Sequence, residues 1–292
     1  MKDTAQLKAL AKINLGLDVI GRRENGYHDV RMVMQTIYLY DDVTIRKTEN
    51  PGIVVKTNLS FLPVNDDNIA YKAARMLIDE FGIESGVEIT LEKHIPVAAG
   101  LAGGSSNAAA VLVGMNRIFD LKLSQKELME RGVKLGADVP YCVMRGTVLA
   151  EGIGEILSPL PPMPKCYILI AKPGINVSTK VVYEKLDSKP IDNHPDIDAI
   201  IEGLEENDIY KVAASLGNVL EAVTIEDYPV IEEIKDAMKK AGALNAMMSG
   251  SGPTVFGIFD DKKVAKAAKE TIKAMGIAKQ IYLADVHNTR RN

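Results

Sequence analysis

Pro96-Val97-Ala98-Ala99-Gly100-Leu101-Ala102-Gly103-Gly104-Ser105-Ser106-Asn107 follows a β-like stretch at Val87 to Lys93 and runs straight into Ala108-Ala-Ala-Val-Leu-Val, which reads as a helix. Glycines let a backbone approach a ligand closely and turn its N–H groups inward. A helix N-terminus adds unpaired donors and the positive end of a macrodipole, so a chain of phosphates suits such a cradle. Ser105, Ser106 and Asn107 would also serve as an ordinary helix cap above an ordinary turn. The density of glycine and serine between strand and helix favours anion binding. No Gly-Lys-Ser/Thr pairing completes a P-loop, and no Gly-x-Gly-x-x-Gly follows a strand, so Walker and Rossmann chemistry are excluded.

Upstream of this loop, the odd positions from Leu7 to Leu17 are all apolar while Lys8, Lys12, Asn14 and Asp18 fall on even ones, the pattern of a half-buried strand. A second strand is expected over Val30 to Arg46. Asn68 to Phe81 has helical spacing ended by Gly82. Downstream, residues 105–119 read as an Ala-rich helix, and Ser124-Gln-Lys-Glu127 is a capping box opening another that stops near Gly136. Ser158-Pro-Leu-Pro-Pro-Met-Pro164 interrupts regular structure and sets a boundary between an N-terminal domain, 1–160, and a C-terminal one, 161–292. The second part alternates helices near 178–186, 208–222, 229–241 and 261–275 with strands at 167–171, 243–248, 254–259 and 280–285, an α+β pattern. The acidic stretch from Asp187 to Asp208 is polar enough to be a mobile surface excursion.

Bulk properties narrow the function. At 292 residues with 47% hydrophobic and 25% charged composition the chain suits a two-domain globular enzyme. A net charge of −4 gives no basic footprint for nucleic acid, and Arg290-Arg291 reads as a solvated chain end. Cys142 and Cys166 are too few for a disulfide framework or a metal site. The start, Met1-Lys2-Asp3-Thr4, lacks a signal-type apolar stretch, and no run approaches about 18 apolar residues, so a cytoplasmic protein without a membrane span is expected.

Three further blocks carry chemistry. Gly136-Ala-Asp138-Val-Pro140 sets a carboxylate after a helix end; alone, it is an N-cap. Lys12 shares a strand face with Asn14, opposite the apolar face, and is either a cleft residue or a surface lysine. Ser249-Gly-Ser-Gly-Pro-Thr254 is a glycine turn between strands, which a plain hairpin would also explain. Beyond these, Arg22-Arg-Glu-Asn-Gly-Tyr27-His28 places an aromatic ring and an imidazole just after an Asn-Gly turn.

Pro-x-x-x-Gly-Leu-x-Gly-Gly-Ser-Ser-x-Ala-Ala resembles the second motif of the galactokinase, homoserine kinase, mevalonate kinase and phosphomevalonate kinase (GHMP) superfamily. Lys12-Ile-Asn14-Leu and Ser249 to Thr254 resemble its first and third, in the right order. The resemblance implies an α+β, two-domain GHMP-kinase-like fold with ATP and substrate in an interdomain cleft. It implies ATP with magnesium, the triphosphate on residues 96–107, and Lys93, Asn68 and Asn107 on the adenosine side. Asp138 would accept the proton of the substrate hydroxyl, with Lys12 holding it ionised and stabilising transferred charge. The magnesium ligands are unknown, with Ser106 a possible one.

Gly26-Tyr27-His28 at this distance from the Lys-x-Asn strand resembles the branch that phosphorylates a cytidine diphosphate conjugate at a tertiary 2-hydroxyl in the non-mevalonate route to isoprenoids. There the aromatic ring stacks on cytosine and the histidine bonds its edge. Pro173 to Tyr183 resembles that branch's segment contributing a threonine and an aromatic ring, which nominates Thr179 and Tyr183 beside Asn14 for the substrate. The alternatives are another GHMP small-molecule kinase, of homoserine or mevalonate type, or a non-catalytic nucleotide-binding protein of the same fold. Ala98, Ala99 and Ala102 stand where relatives often have glycine, so a stiffer loop is expected, and Asn25 replaces a frequent aspartate. A monomer or homodimer is expected, with a small-molecule substrate.

Overall fold

Thr4–Arg22 (β1) and His28–Thr48 (β2) are two long neighbouring strands joined by the turn at 23–27. The computed structural model describes residues 3–289, so Arg290-Arg291 lies outside the described residues. The elements that follow are Ile53–Thr57 (β3), Ile69–Phe81 (α1), Gly86–Glu92 (β4), Gly103–Ile118 (α2), Gln125–Val133 (α3), Val139–Met144 (α4), Thr147–Glu151 (β5), Ile156–Pro159 (β6) and Tyr167–Lys172 (β7). Then come Thr179–Leu186 (α5), Ile197–Glu205 (α6), Ile209–Ala214 (α7), Gly217–Asn218 (β8), Glu221–Asp227 (α8), Val230–Lys240 (α9), Asn245–Met248 (β9), Val255–Phe259 (β10), Lys262–Met275 (α10) and Gln280–Asp285 (β11).

The chain forms two compact units that interleave along the sequence. One holds residues up to Ala11, Leu39–Val97 and Ala102–Met144; the other holds Lys12–Tyr38, Ala98–Leu101 and the chain from Arg145 onward. The proline-rich segment at 158–164 therefore lies within the second unit.

In the first unit, β2 pairs antiparallel with β4 from Asp42↔Glu92 to Thr48↔Gly86, and β3 lies parallel to β4. Helix α1 starts where the Asn68 side chain accepts from the Ala70 N–H and ends where Gly82 turns left-handed at φ 59°. Its buried face, Ala70, Ala73, Ala74 and Leu77, is small enough to pack closely on α2. Helix α2 in turn lies hard against the sheet: a Cβ on Gly114 would come within 2.1 Å of Ile45 Cδ1. The capping box of α3 is present in both directions between Ser124 and Glu127.

In the second unit, β11-β7-β10-β9 form an antiparallel sheet, with β7 at its centre buried from Ile168 to Lys172. Strand β5 pairs with β2 from Met32↔Ala150 to Gln35↔Thr147, and β6 pairs outside it. The short β8 pairs parallel with β1 at Gly16↔Gly217 and Leu17↔Asn218.

Four expectations change. Strand β1 is buried on both faces from Ala9 to Val19, so Lys12, Asn14 and Asp18 are buried rather than on an exposed face. The helix expected over 208–222 breaks into α7, β8 and α8. Gly217-Asn218 leaves the helix to pair with β1, and Asn218 accepts from the Leu220 N–H at 3.0 Å. Regular structure extends into the proline segment, since β6 reaches Pro159 on an edge where a missing donor costs nothing. The acidic stretch is no free excursion. It contains α6 and is tied down by Asp187 to His28, His194 to Asp18 and Asp198 to Arg31.

Candidate active site

The loop before α2 is shaped by its backbone. Ala98 (φ 49°), Gly100 (φ 71°) and Ala102 (φ 55°) are left-handed at every second position, which turns successive N–H groups toward a common side. Two alanines in this region store about 1–2 kcal/mol each, strain of the kind that gathers at binding sites. Helix α2 begins at Ala102 with no side-chain cap, which leaves its first-turn donors to a ligand. A Cβ on Gly103 would sit 3.1 Å from Ile95 Cγ2, and one on Gly104 3.4 Å from Ile69 Cδ1, so the helix start is open where side chains would crowd it. These features fit a phosphate group.

Beneath the helix start lies a buried polar network. Lys93 Nζ pairs with Asp41 Oδ2 and donates to Asn107 Oδ1 at 2.7 Å, while Asn107 Nδ2 donates to Asp41 Oδ2 at 2.8 Å. The other Asp41 oxygen accepts from the His94 and Ile95 N–H groups at 2.7 and 2.8 Å. Asp41 is fully buried, and the sequence reading did not single it out. Asn68 caps α1 and donates Nδ2 to the Pro63 carbonyl at 2.8 Å.

Asp138 stands at the start of α4, its carbonyl accepting from the Cys142 N–H at 3.0 Å. The turn is stiff: the Gly132 carbonyl accepts from Leu135 and Gly136, and a Cβ on Gly132 would press 3.0 Å against Val139 Cγ1. Five residues of α4 are buried, so the Asp138 backbone has little freedom. Ser106 turns inward, donating to the Leu10 carbonyl at 2.5 Å and lying 3.2 Å from Cys142 Sγ. Among the described residues no group of three His, Cys, Asp or Glu side chains converges to hold a metal ion.

In the second unit, Lys12 Nζ donates to Asn14 Oδ1 at 2.7 Å, and Asn14 Nδ2 points to Met32 Sδ at 3.4 Å. The Lys12 N–H donates to the Leu101 carbonyl at 3.2 Å, which seats the loop alongside β1. The Ser249 turn meets the same loop: Ser249 Oγ donates to the Gly100 carbonyl at 3.0 Å, and a Cβ on Gly100 would fall 2.1 Å from the Ser249 carbonyl oxygen. The turn is indeed a loop between antiparallel β9 and β10, so the hairpin and motif readings describe one object. It is braced by residues the sequence reading missed. Asn218 Nδ2 donates to the Met248 and Gly250 carbonyls at 2.9 and 2.8 Å, and Glu221 accepts from the Met248 N–H at 2.8 Å. Burial lifts the Glu221 carboxyl above its ordinary range despite Lys235 beside it. Thr179 reaches this turn, its Oγ1 2.8 Å from Ser251 Oγ.

At the β1–β2 turn, Asn25 accepts from the Tyr27 N–H at 3.1 Å and Gly26 takes φ 84°. Tyr27 is left 58% exposed, a free aromatic face. His28 packs against Tyr183 with ring centroids 4.7 Å apart, and its Nε2 lies 2.7 Å from Asp187 Oδ1. Arg22 Nη1 approaches the other Asp187 oxygen at 3.3 Å. The structure thus brings His28 and Tyr183 together and adds Asp187.

Family profiles match the halves that carry these features: GHMP kinases N terminal domain over residues 68–146, with the helix-opening loop and Asp138, and GHMP kinases C terminal over 200–278, with the Ser249 turn. The mixed α and β units and the ordered glycine blocks are those of the GHMP kinase class. Solved structures agree. A crystal structure of 4-(cytidine 5'-diphospho)-2C-methyl-D-erythritol kinase matches with a TM-score of 0.84 and 31% identity, covering 98% of this chain and all of that one. Homoserine kinase from Cytophaga hutchinsonii matches at 0.78 and 23% identity, over 98% of this chain and 96% of that one, a likeness of fold alone. Among curated relatives, the 4-diphosphocytidyl-2-C-methyl-D-erythritol kinases of Lachnospira eligens and Clostridium perfringens strain ATCC 13124 are 58% and 48% identical. Each match covers 97% of this chain, and 98% and 99% of those proteins respectively. The chain belongs to the 4-diphosphocytidyl-2-C-methyl-D-erythritol kinase family.

Proposed function

We propose that the protein transfers the terminal phosphoryl group of ATP to the 2-hydroxyl of 4-diphosphocytidyl-2-C-methyl-D-erythritol, releasing ADP and the 2-phosphate in the non-mevalonate isoprenoid pathway. The observation that carries this reading is the β1–β2 turn, where an exposed Tyr27 ring precedes an imidazole packed on Tyr183. A π-face contributes about 1–3 kcal/mol per stacked base, and an imidazole beside it bonds a base edge.

The phosphates of ATP lie on the N–H groups of residues 96–107 and the start of α2. Lys93 and Asn107 act from below, through the Asp41 network, by holding that helix start in place. Asn68 shapes the adenosine side as the cap of α1. Asp138 takes the proton of the 2-hydroxyl while that hydroxyl oxygen bonds to the γ-phosphorus and the bond from the γ-phosphorus to the β-phosphate oxygen breaks, releasing ADP. Lys12 stabilises the charge on the moving phosphoryl group, and Asn14 orients both Lys12 and the acceptor. Bound together with ATP, magnesium would supply neutralisation of the phosphate charge, and among the described residues no group of three His, Cys, Asp or Glu side chains is arranged to hold it. Thr179 and Tyr183 complete the substrate side. As sequence domains, an N-terminal and a C-terminal part divided near residue 160 are supported by the family profiles over 68–146 and 200–278, although residue 160 itself lies inside one compact unit of the fold. No helix among the described residues is long and apolar enough to cross a membrane, and we place the enzyme in the cytoplasm with ATP.

The test is ATP consumption with magnesium, offering the cytidine compound, mevalonate and homoserine separately. Turnover on the cytidine compound alone is expected; turnover on another acceptor would remove the base pocket, and silence on all three would leave a nucleotide-binding protein. Asp138→Asn should cut kcat by about 10²–10⁴-fold with ATP affinity within about twofold of wild type. Lost ATP binding would instead make Asp138 a structural cap.

A further inference from the structure

We propose that Asp187 is a positioning residue that sets the tautomer of His28 and thereby the choice of cytosine over uracil; the proposal rests on the cytidine reading above. Asp187 Oδ1 lies 2.7 Å from His28 Nε2. A carboxylate only accepts, so Nε2 carries the proton, and in a neutral imidazole the other nitrogen, Nδ1, is then a lone-pair acceptor. The ring cannot turn freely to reverse this. Only 9% of its side chain is exposed, and Tyr183 covers it at a 36° tilt. Asp187 is itself held on both sides. It ends α5, where its N–H donates to the Tyr183 carbonyl at 2.9 Å, and its second oxygen faces Arg22. The aromatic partner and the carboxylate partner of His28 thus come from one helix end.

The chemistry of the two pyrimidines makes this assignment consequential. Cytosine presents a 4-amino donor where uracil presents a carbonyl acceptor. An Nδ1 acceptor receives the amino group and sets its lone pair against the uracil oxygen. The same ring with its proton on Nδ1 would accept uracil. Discrimination is therefore strongest when the unwanted tautomer is denied a partner, and a carboxylate denies it while a neutral amide does not.

Asp187→Asn keeps the shape and a hydrogen bond in either direction, because the amide offers an oxygen or an NH₂. The expected result is a fall of about tenfold or more in the ratio of kcat/KM for the cytidine substrate over its uridine diphosphate counterpart. The KM for ATP should be unchanged. A packing role alone would leave the ratio where it was. Imidazole ¹⁵N NMR of the whole protein gives a second readout: the wild-type ring in the Nε2–H form, the variant in a mixture. An unchanged ratio in Asp187→Asn, or an Nδ1–H ring in the wild type, overturns the proposal and leaves the kinase reading intact. A wild-type enzyme inactive on the cytidine substrate but active on another acceptor overturns both, while the NMR spectrum still reports which nitrogen holds the proton.

Discussion

Replacing Asp41 by asparagine tests whether the start of α2 rests on a buried charge. Asp41 accepts four bonds with no exposure: two from the backbone at His94 and Ile95, one from Asn107, one from the Lys93 ammonium. An amide in its place would keep an oxygen for the two backbone donors but set an NH₂ against an ammonium and a second amide. The charge on Lys93, itself buried, then has no counter-charge in this network. Breaking such a pair from one side costs about 3–5 kcal/mol, a large share of the roughly 5–15 kcal/mol that holds a protein folded. At about 2–4 °C per kcal/mol the Tm should fall by about 6–20 °C. Urea unfolding of Asp41→Asn, Lys93→Met and the double variant gives the cycle. Removing both groups should recover about 2 kcal/mol or more relative to the sum of the single losses. The KM for ATP should rise in the single variants, since the network supports the helix start. A loss below about 1 kcal/mol in Asp41→Asn, or strict additivity, would refute the view that this ion pair is dry and coupled.

Gly100→Ala adds a Cβ 2.1 Å from the Ser249 carbonyl oxygen at a residue with φ 71°. The combined strain and overpacking should lower stability by about 2–5 kcal/mol and raise the KM for ATP, read by urea melts and initial rates. His287 is held below the ordinary imidazole range by burial and then by Arg145. The unfolded chain therefore binds its proton more readily, and stability should be full above about pH 6.5 and fall as the pH drops below it. His287→Phe should flatten that part of a Tm-versus-pH curve; an unchanged slope would place the titration elsewhere. Burial pushes the Cys166 thiol up to about 12, and Cys142 is buried too, so iodoacetamide should label neither in the native protein and both in urea. Native labelling of Cys166 would contradict its burial.

Elements announced by local chemistry were legible. Gly82 ends α1, and Ser124 and Glu127 open α3, as read from the sequence, because capping is decided within four residues. The glycine loop was legible for the same reason. What long-range packing decides was not. Asp41 looks like one of two adjacent acids in a strand, and its meaning comes from partners 52 and 66 residues further along. Asn218 and Glu221 sat inside an apparent helix, and only the departure of Gly217 from that helix toward β1 explains them. A glycine-asparagine step inside an otherwise helical run was the signal available. Lys12 read as exposed or cleft-facing because alternation marks one buried face and is silent when the other is covered as well.

The pairing of Gly16 with Gly217 has a consequence for the newborn protein. A ribosome adding about 5–20 residues per second needs roughly 10–40 s to travel from one to the other. Over that interval the Gly16-Leu17 segment of β1 waits without its native partner, and unpaired strand backbone invites other chains. Synthesis thus has a vulnerable window that closes only when roughly three-quarters of the polypeptide has emerged, and a chaperone holding β1 would matter most there.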